Sequence, residues 1–296
     1  EAPLTGIKVV ELARILAGPW IGQTLSDLGA DVIKVESPMG DDTRQWGPPW
    51  IDIDGERSAA YFHACNRGKQ SIVVDLKTDA GRQRVLELVA EADVVVENFK
   101  VGGLEQYGLD AKTLCERHPS LIYCSVTGFG QDGPYARRAG YDFMIQGMSG
   151  IMDLTGEADG QPQKIGVAFA DIFTGLYGVI AVQAALLQRQ ANGLGQHIDL
   201  SLFDCMTAVL ANQSMNFLAS GESPHRMGNR HPNIAPYQTF PVSDGHLIIA
   251  VGNDGQFKRL CERLGLDELI SDERYTSNAA RVQNRDTLEQ RLSEKT

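Results

Sequence analysis

Residues 7–36, IKVVELARILAGPWIGQTLSDLGADVIKVE, decide the fold. Ile7–Leu12 is a short apolar, β-branched run, and Asp31–Glu36 is a second. The helical stretch between them, Pro19–Leu28, carries its proline in the first turn, where the missing N–H costs no hydrogen bond. Gly29 closes that helix, because glycine enters the left-handed region without a Cβ clash. Strand, helix and strand in so few residues make the crossover unit of a parallel sheet.

The alternation continues. Ser71–Leu76 reads as a third strand, and Ala80–Glu91 as a helix with Thr78 or Asp79 as its N-cap. Asp93–Phe99, Leu121–Thr127 and Gln196–Leu202 read as further strands. Several of these runs are apolar almost throughout, as strands covered by helices on both faces must be. Asp171–Gln190 is a long helix, apolar nearly all round and expected to be buried; Asn192-Gly193 stops it. Leu202–Ala219 reads as a second apolar helix. A Pro- and Gly-rich stretch, GESPHRMGNRHPNIAPY (221–237), follows. It sets a boundary between a large α/β domain, residues 1–221, and a linker with a smaller α+β domain, residues 222–296. In the latter, Thr239–Val242, the turn Ser243-Asp244-Gly245 and His246–Val251 form a hairpin, and two helical segments come after it. PMGDDTRQWGPPW (38–50) has no period; it reads as a loop pinned by Trp46 and Trp50, or as part of a site.

The chain has 296 residues with 27 Lys and Arg against 38 Asp and Glu, a net charge of −11. That balance argues against a nucleic-acid partner or an anionic membrane surface, which need clustered cations. Cys65, Cys115, Cys124, Cys205 and Cys261 are scattered without a C-x-x-C, so neither a disulfide framework nor a zinc site is expected, and a reducing cytosol is. The N-terminus lacks a signal-peptide pattern and an initiator Met, so a processed or trimmed end is expected. The best candidate for a membrane span, Val179–Leu187, is short and contains Gln183. The expected compartment is the cytoplasm, or the mitochondrial matrix for a eukaryotic source.

Dinucleotide chemistry has no support: the turn after the first strand is Ala17-Gly18-Pro19 instead of G-x-G-x-x-G. No P-loop or G-x-S-x-G occurs, and the histidines at 63, 118, 197, 225, 231 and 246 have no metal-ligand spacing. Carboxylate chemistry remains. Asp171 precedes the long apolar helix, where free N–H groups and the helix dipole hold a carboxylate ionised. Two readings stand: a nucleophile, or an N-cap, which is the commoner role of such an Asp.

The blocks PLTGIKVVEL, RILAGPW, LGADVIKVE, GDDTR, NRGKQSIVVDLK, ADVVVENF, SVTGFG, AFADIFTGLYG and GLGQHIDLSL occur together along the chain. In combination they resemble the class III coenzyme A transferases, the family of formyl-CoA transferase and carnitine-CoA transferase. DDTRQWGPPW, IYCSVTGFGQDGP, RAGYD and the stretch from GNDGQF to RVQNR look most like its succinyl-CoA:glutarate type. The resemblance implies a Rossmann-like parallel sheet flanked by helices, a smaller α+β domain and an interlocked homodimer, with the chain returning to the large domain. No returning segment follows Glu294-Lys295-Thr296, so a truncated chain is expected. It further implies acyl-CoA and a small carboxylate as substrates, no prosthetic group and no metal. Asp171 would be the covalent nucleophile, forming an aspartyl anhydride and then an aspartyl-CoA thioester.

By the same resemblance, CoA would be held by Leu16 and Ala17, by Val74, Asp75, Leu76 and Lys77, by Asn98, Phe99 and Lys100, and by Tyr141 and Asp142. Ordinary packing, capping or solvation is the competing reading of each. Arg44 is the candidate for the acyl group's distal carboxylate, since a planar guanidinium suits bidentate recognition. Ser37, Gln106 and Ala139 stand where some members carry a basic residue, which leaves the hold on the CoA phosphates open. A racemase branch of the superfamily uses a histidine in a G-H-D block; here the block is Gly140-Tyr141-Asp142, which weakens that alternative. A non-catalytic CoA-binding paralogue is the third reading.

Overall fold

The structure is a computed structural model that describes residues 2–296. Two compact units divide it: residues up to Gly150 with Ile165–Leu210, and Ile151–Lys164 with Ala211–Thr296.

The first unit is built from β1 (Lys8–Glu11), α1 (Ala17–Asp27), β2 (Asp31–Glu36), a hairpin of β3 (Trp50–Ile53) and β4 (Glu56–Ala59), α2 (Ala60–His63) and β5 (Gln70–Val73). It continues through α3 (Asp79–Ala90), β6 (Val94–Glu97), α4 (Ala111–Arg117), β7 (Ile122–Thr127) and α5 (Asp142–Ser149). After α6 (Ile151–Leu154), which belongs to the second unit, come α7 (Phe169–Asn192), β8 (His197–Ser201) and α8 (Leu202–Ala208). Six strands form one parallel sheet in the order β5-β2-β1-β6-β7-β8, with Val9 of β1 opposite Val32 on one side and Val94 on the other. The chain therefore starts in the middle of the sheet, winds outward to β5, and returns past β1 to build the other half. The direction reverses between β1 and β6, and ligands of doubly wound sheets bind outside the carboxyl ends of the strands at that point. Val10, Val35, Val95, Val85 and Leu114 lie in the core on one face, each 6% exposed or less.

The expected parallel α/β sheet with helices is present, and several boundaries move. β5 ends at Val73, so Val74–Leu76 lie beyond it. α1 begins at Ala17, which keeps Pro19 in the first turn. Thr78 is the cap of α3, its Oγ1 accepting from Gly81 N at 3.0 Å. The aperiodic stretch after Pro38 contains a short 3₁₀ turn, Asp42–Gln45, and runs into the β3–β4 hairpin, which the sequence reading lacks.

Three expectations are corrected. α7 starts at Phe169 with Ala168 as its N-cap, so Asp171 lies inside the first turn and is not the cap. That helix is not buried all round: Leu176, Tyr177, Ile180 and Leu187 are exposed, while Thr174, Gly175, Gly178 and Val182 face inward. By length and composition α7 could cross a membrane, with mean hydropathy 1.6, but its inward face packs on α1 and α8. The second apolar helix is two, α8 and α9 (Asn212–Ser220), separated where Ala211 takes φ 49°, a left-handed value with a steric cost for any residue bearing a Cβ. The two compact units divide at 210/211, close to this break, and the second takes in Ile151–Lys164 from the middle of the first.

The second unit adds the antiparallel pair β9 (Tyr237–Val242) and β10 (Gly245–Ala250), with α10 (Asp254–Leu264), α11 (Asn278–Gln283) and α12 (Arg285–Ser293). Phe240, Phe257, Tyr275 and Leu288 fill its core. Arg281, 1% exposed, donates to Ala235 O, Tyr275 O and Asp254 Oδ1, so its buried charge is fully partnered.

Candidate active site

Every segment that the sequence nominates in the first unit lies beyond the carboxyl end of a strand in one sheet. Leu16 and Ala17 follow β1, Val74–Lys77 follow β5, Asn98–Lys100 follow β6, and Tyr141 and Asp142 follow β7.

The loops on either side of the reversal are tied together. Asn98 Oδ1 accepts from Arg14 N at 2.9 Å, and its Nδ2 donates to Arg14 O at 2.6 Å. The next residue, Ile15, holds φ 74°, an outlier for a β-branched side chain. Its N–H points at both carboxylate oxygens of Asp41, at 3.3 and 3.4 Å. Asp41 is in turn fixed by Thr43 and by Lys34, whose ammonium, 1% exposed, also meets Glu11 Oε1 at 3.1 Å. Lys69 Nζ closes the network on Glu11 Oε2 at 2.8 Å. A buried, fully paired charge cluster of this kind holds one geometry because any slip leaves an unpaired charge.

Asp171 is placed by glycines. Gly175, one turn later on α7, packs against α1 so closely that a Cβ would lie 2.9 Å from Trp20 Cδ1 and 3.1 Å from Ala17 O. This contact explains Thr174-Gly175: only a residue without a side chain lets the start of α7 approach the Leu16–Ala17 turn. On the far side, Gly128 of SVTGFG packs backbone on backbone against Gly140 of RAGYD; a Cβ at Gly128 would lie 2.5 Å from Gly140 Cα. That packing delivers Asp142 to the amino end of α7. Asp142 Oδ1 accepts from Ala170 N at 2.8 Å and from Asp171 N at 3.2 Å, supplying the cap that Ala168 lacks. Burial first, and the Asp142 charge second, push the half-buried Asp171 carboxyl up to about 7.

Tyr61 is a neighbour that the sequence did not flag. Burial, followed by the charges of Asp171 and other groups including Asp142, pushes its phenol up to about 12. Trp46 meets the Tyr61 ring edge-on at 5.0 Å, which ties the aperiodic loop to this corner. The only sequence signal was the pair of tryptophans in that loop.

The other nominated residues divide. Val74 (8% exposed) and Leu76 pack into the sheet core, and Phe99 lies against the same cluster. Asp75 builds a turn, accepting from Lys77 N at 2.9 Å. Lys77 and Lys100 are exposed, as phosphate partners require. Tyr141 is 73% exposed. Asn98 spends its amide on Arg14 rather than leaving it free for a ligand. Arg44 is committed: its guanidinium is bidentate on Glu36, at 2.8 and 2.7 Å, and stacks 3.7 Å over the Phe62 ring. Although burial raises the Glu36 carboxyl, bonds from Arg44, Ser71 and Asp41 N bring it down to about 2. Phe99 and Lys100 also border a cavity of about 270 Å³ beyond β6–β8 that contains Glu97, Ser125 and His197. Among the described residues no group of His, Cys, Asp and Glu is arranged to hold a metal.

The model of CoA-transferase family III matches residues 4–296. The succinate–glutarate CoA-transferase of Agrobacterium fabrum is 61% identical over 100% of this chain and 75% of its own length. The succinyl-CoA:glutarate CoA-transferase of Mus musculus is 45% identical over 98% of this chain and 66% of its own. A crystal structure of a CAIB/BAIF family protein from Brucella suis shares the fold, with TM-score 0.87 and 71% identity over 100% of this chain and 78% of that one. With the sheet order and the Asp171 block already in place, these matches agree: the chain belongs to CoA-transferase family III.

Proposed function

We propose that this chain moves coenzyme A from an acyl-CoA thioester to a free carboxylate, with succinyl-CoA as donor and a short dicarboxylate such as glutarate as acceptor. The observation that carries the reading is the half-buried Asp171 carboxyl, set in the first turn of α7 beside Asp142. Support for the substrate pair comes from the named activities of relatives at 61% and 45% identity.

The route is covalent. An Asp171 carboxylate oxygen attacks the thioester carbonyl and expels CoA thiolate, giving a mixed anhydride. The thiolate then attacks the aspartyl carbonyl, releases succinate and forms an aspartyl-CoA thioester. The acceptor carboxylate attacks that carbonyl, expels the thiolate again, and becomes an anhydride with Asp171. Attack of the thiolate on the acceptor's own carbonyl releases the new acyl-CoA and restores Asp171. Each step exchanges one acyl bond for another of similar reactivity. A carboxylate whose pKa is lifted toward neutrality is more basic once ionised, and so a stronger nucleophile than an ordinary aspartate.

CoA would lie along the carboxyl edge of the sheet, between the turn at Leu16–Ala17 and the segment Asn98–Lys100, with Lys77 and Lys100 toward its phosphates. A homodimer in which two chains interlock belongs to the same proposal. Incubating the full chain with succinyl-CoA and glutarate, and separating the thioesters chromatographically, should give glutaryl-CoA. Absence of glutaryl-CoA, with deuterium entering the carbon next to the thioester instead, would move the assignment to the isomerase class.

A further inference from the structure

We propose that Gln146 is a positioning residue for Asp171, acting through Asp142 and through the segment that leads into α7. The inference rests on the reading of Asp171 as the nucleophile.

Gln146 lies on α5 and is 0% exposed, an uncommon place for a polar amide unless every donor and acceptor is used. Its Nε2 donates to Asp142 Oδ2 at 2.8 Å and approaches Val167 O at 3.4 Å; its Oε1 accepts from Ile165 N at 2.9 Å. One amide therefore grips both things that locate Asp171. The first is the carboxylate whose other oxygen caps Ala170 N and Asp171 N. The second is the backbone from Ile165 to Val167, immediately before Phe169 begins the helix. The spacing on α5 fits the task, since residues 142 and 146 sit one turn apart on the same helix face.

A neutral donor also matters. An arginine or lysine at 146 would orient Asp142 equally well and cancel its charge. The amide fixes the carboxylate while leaving its field on Asp171 intact. Tyr61 is the further titratable group that faces this pair, from α2.

Two variants test the inference in the full chain. Gln146→Leu removes both grips; Gln146→Glu keeps the shape and the acceptor for Ile165 N but replaces the donor toward Asp142. For Gln146→Leu, kcat should fall about 10- to 100-fold, as a small misplacement of a reacting group does, while KM for succinyl-CoA stays within about threefold. In Gln146→Glu, the acid form of the new side chain still donates to Asp142, so the loss should be least at low pH and deepen as that side chain ionises. Should the leucine variant fail to fold, the near-isosteric glutamate variant carries the test. Hydrogen exchange at Ile165, Ala170 and Asp171 amides gives a readout independent of turnover, and should quicken about tenfold or more in either folded variant. Unchanged exchange, or a kcat and pH profile parallel to wild type, would overturn the role of Gln146. Lack of a covalent adduct on wild-type Asp171 would overturn the nucleophile reading instead, with the exchange data still deciding the positioning.

Discussion

Asp142 Oδ1 accepts the backbone N–H of Asp171 at 3.2 Å, so one carboxylate caps the helix turn that carries the other. The pairing satisfies a free N–H and places a negative charge beside a half-buried carboxyl, with burial the larger influence on that carboxyl and the Asp142 charge the second. Asp171, the nucleophile of the proposed route, and the residue that fixes it thus form one electrostatic unit.

Under the proposed route, the raised Asp171 carboxyl should set the acid limb of the rate profile. The carboxylate is the reactive form, so kcat/KM for succinyl-CoA should fall as pH drops through about 7, where burial and Asp142 place this group. A limb near pH 4, the ordinary aspartate range, would refute the assignment.

Stability carries the same signature with a defined sign. Asp171 binds its proton more tightly folded than unfolded, so its contribution is most favourable below about pH 4 and is lost as pH rises to about 7. Asp171→Asn should therefore gain roughly 1–3 kcal/mol relative to wild type at pH 8 and little at pH 4, measured by denaturant unfolding at both pH values. Equal differences at the two pH values would count against the raised carboxyl.

Arg44 is held by Glu36 and Phe62, so its loss should act on folding before it acts on specificity. Arg44→Met leaves a buried carboxylate unpaired and should cost about 3 kcal/mol or more. Its ratio of kcat/KM for glutarate over a monocarboxylate of equal length should stay within about threefold of wild type, where loss of a true carboxylate clamp would cost far more.

Gly175→Ala adds a methyl group 2.9 Å from Trp20 Cδ1 and 3.1 Å from Ala17 O, one of them backbone. The start of α7 must back away from α1, at about 1–3 kcal/mol in stability, and kcat should drop more than KM rises. An active, equally stable variant would show that the close approach does not locate Asp171.

Much of this was legible in residues 7–36, because hydrophobic periodicity and the closing glycine encode a βαβ unit locally. Asp171 was legible as a candidate nucleophile with a helix cap as its competing reading; the side chain that does the capping, Asp142, lies 29 positions away in sequence and is brought there by the fold. Gln146 gave no signal at all, and Tyr61 only the indirect one of Trp46 in the loop that packs on it, since a buried amide or phenol is recognised only by partners that the fold assembles. Arg44 is the opposite case: its chemistry suits a substrate carboxylate, and the fold gives its Nε and Nη2 donors to Glu36, a buried carboxylate close in sequence. The break at Ala211 has no glycine or proline to announce it, which is why the sequence reads as one helix where the fold has two.

The central claim is that Asp171 becomes covalently acylated. Intact-protein mass spectrometry after mixing the full chain with succinyl-CoA and quenching with hydroxylamine or borohydride, alongside Asp171→Ala, tests it most directly. The account predicts a modification that maps to Asp171 and is absent from the variant. An unmodified wild-type protein across a panel of acyl-CoA donors, with CoA still bound, would contradict it.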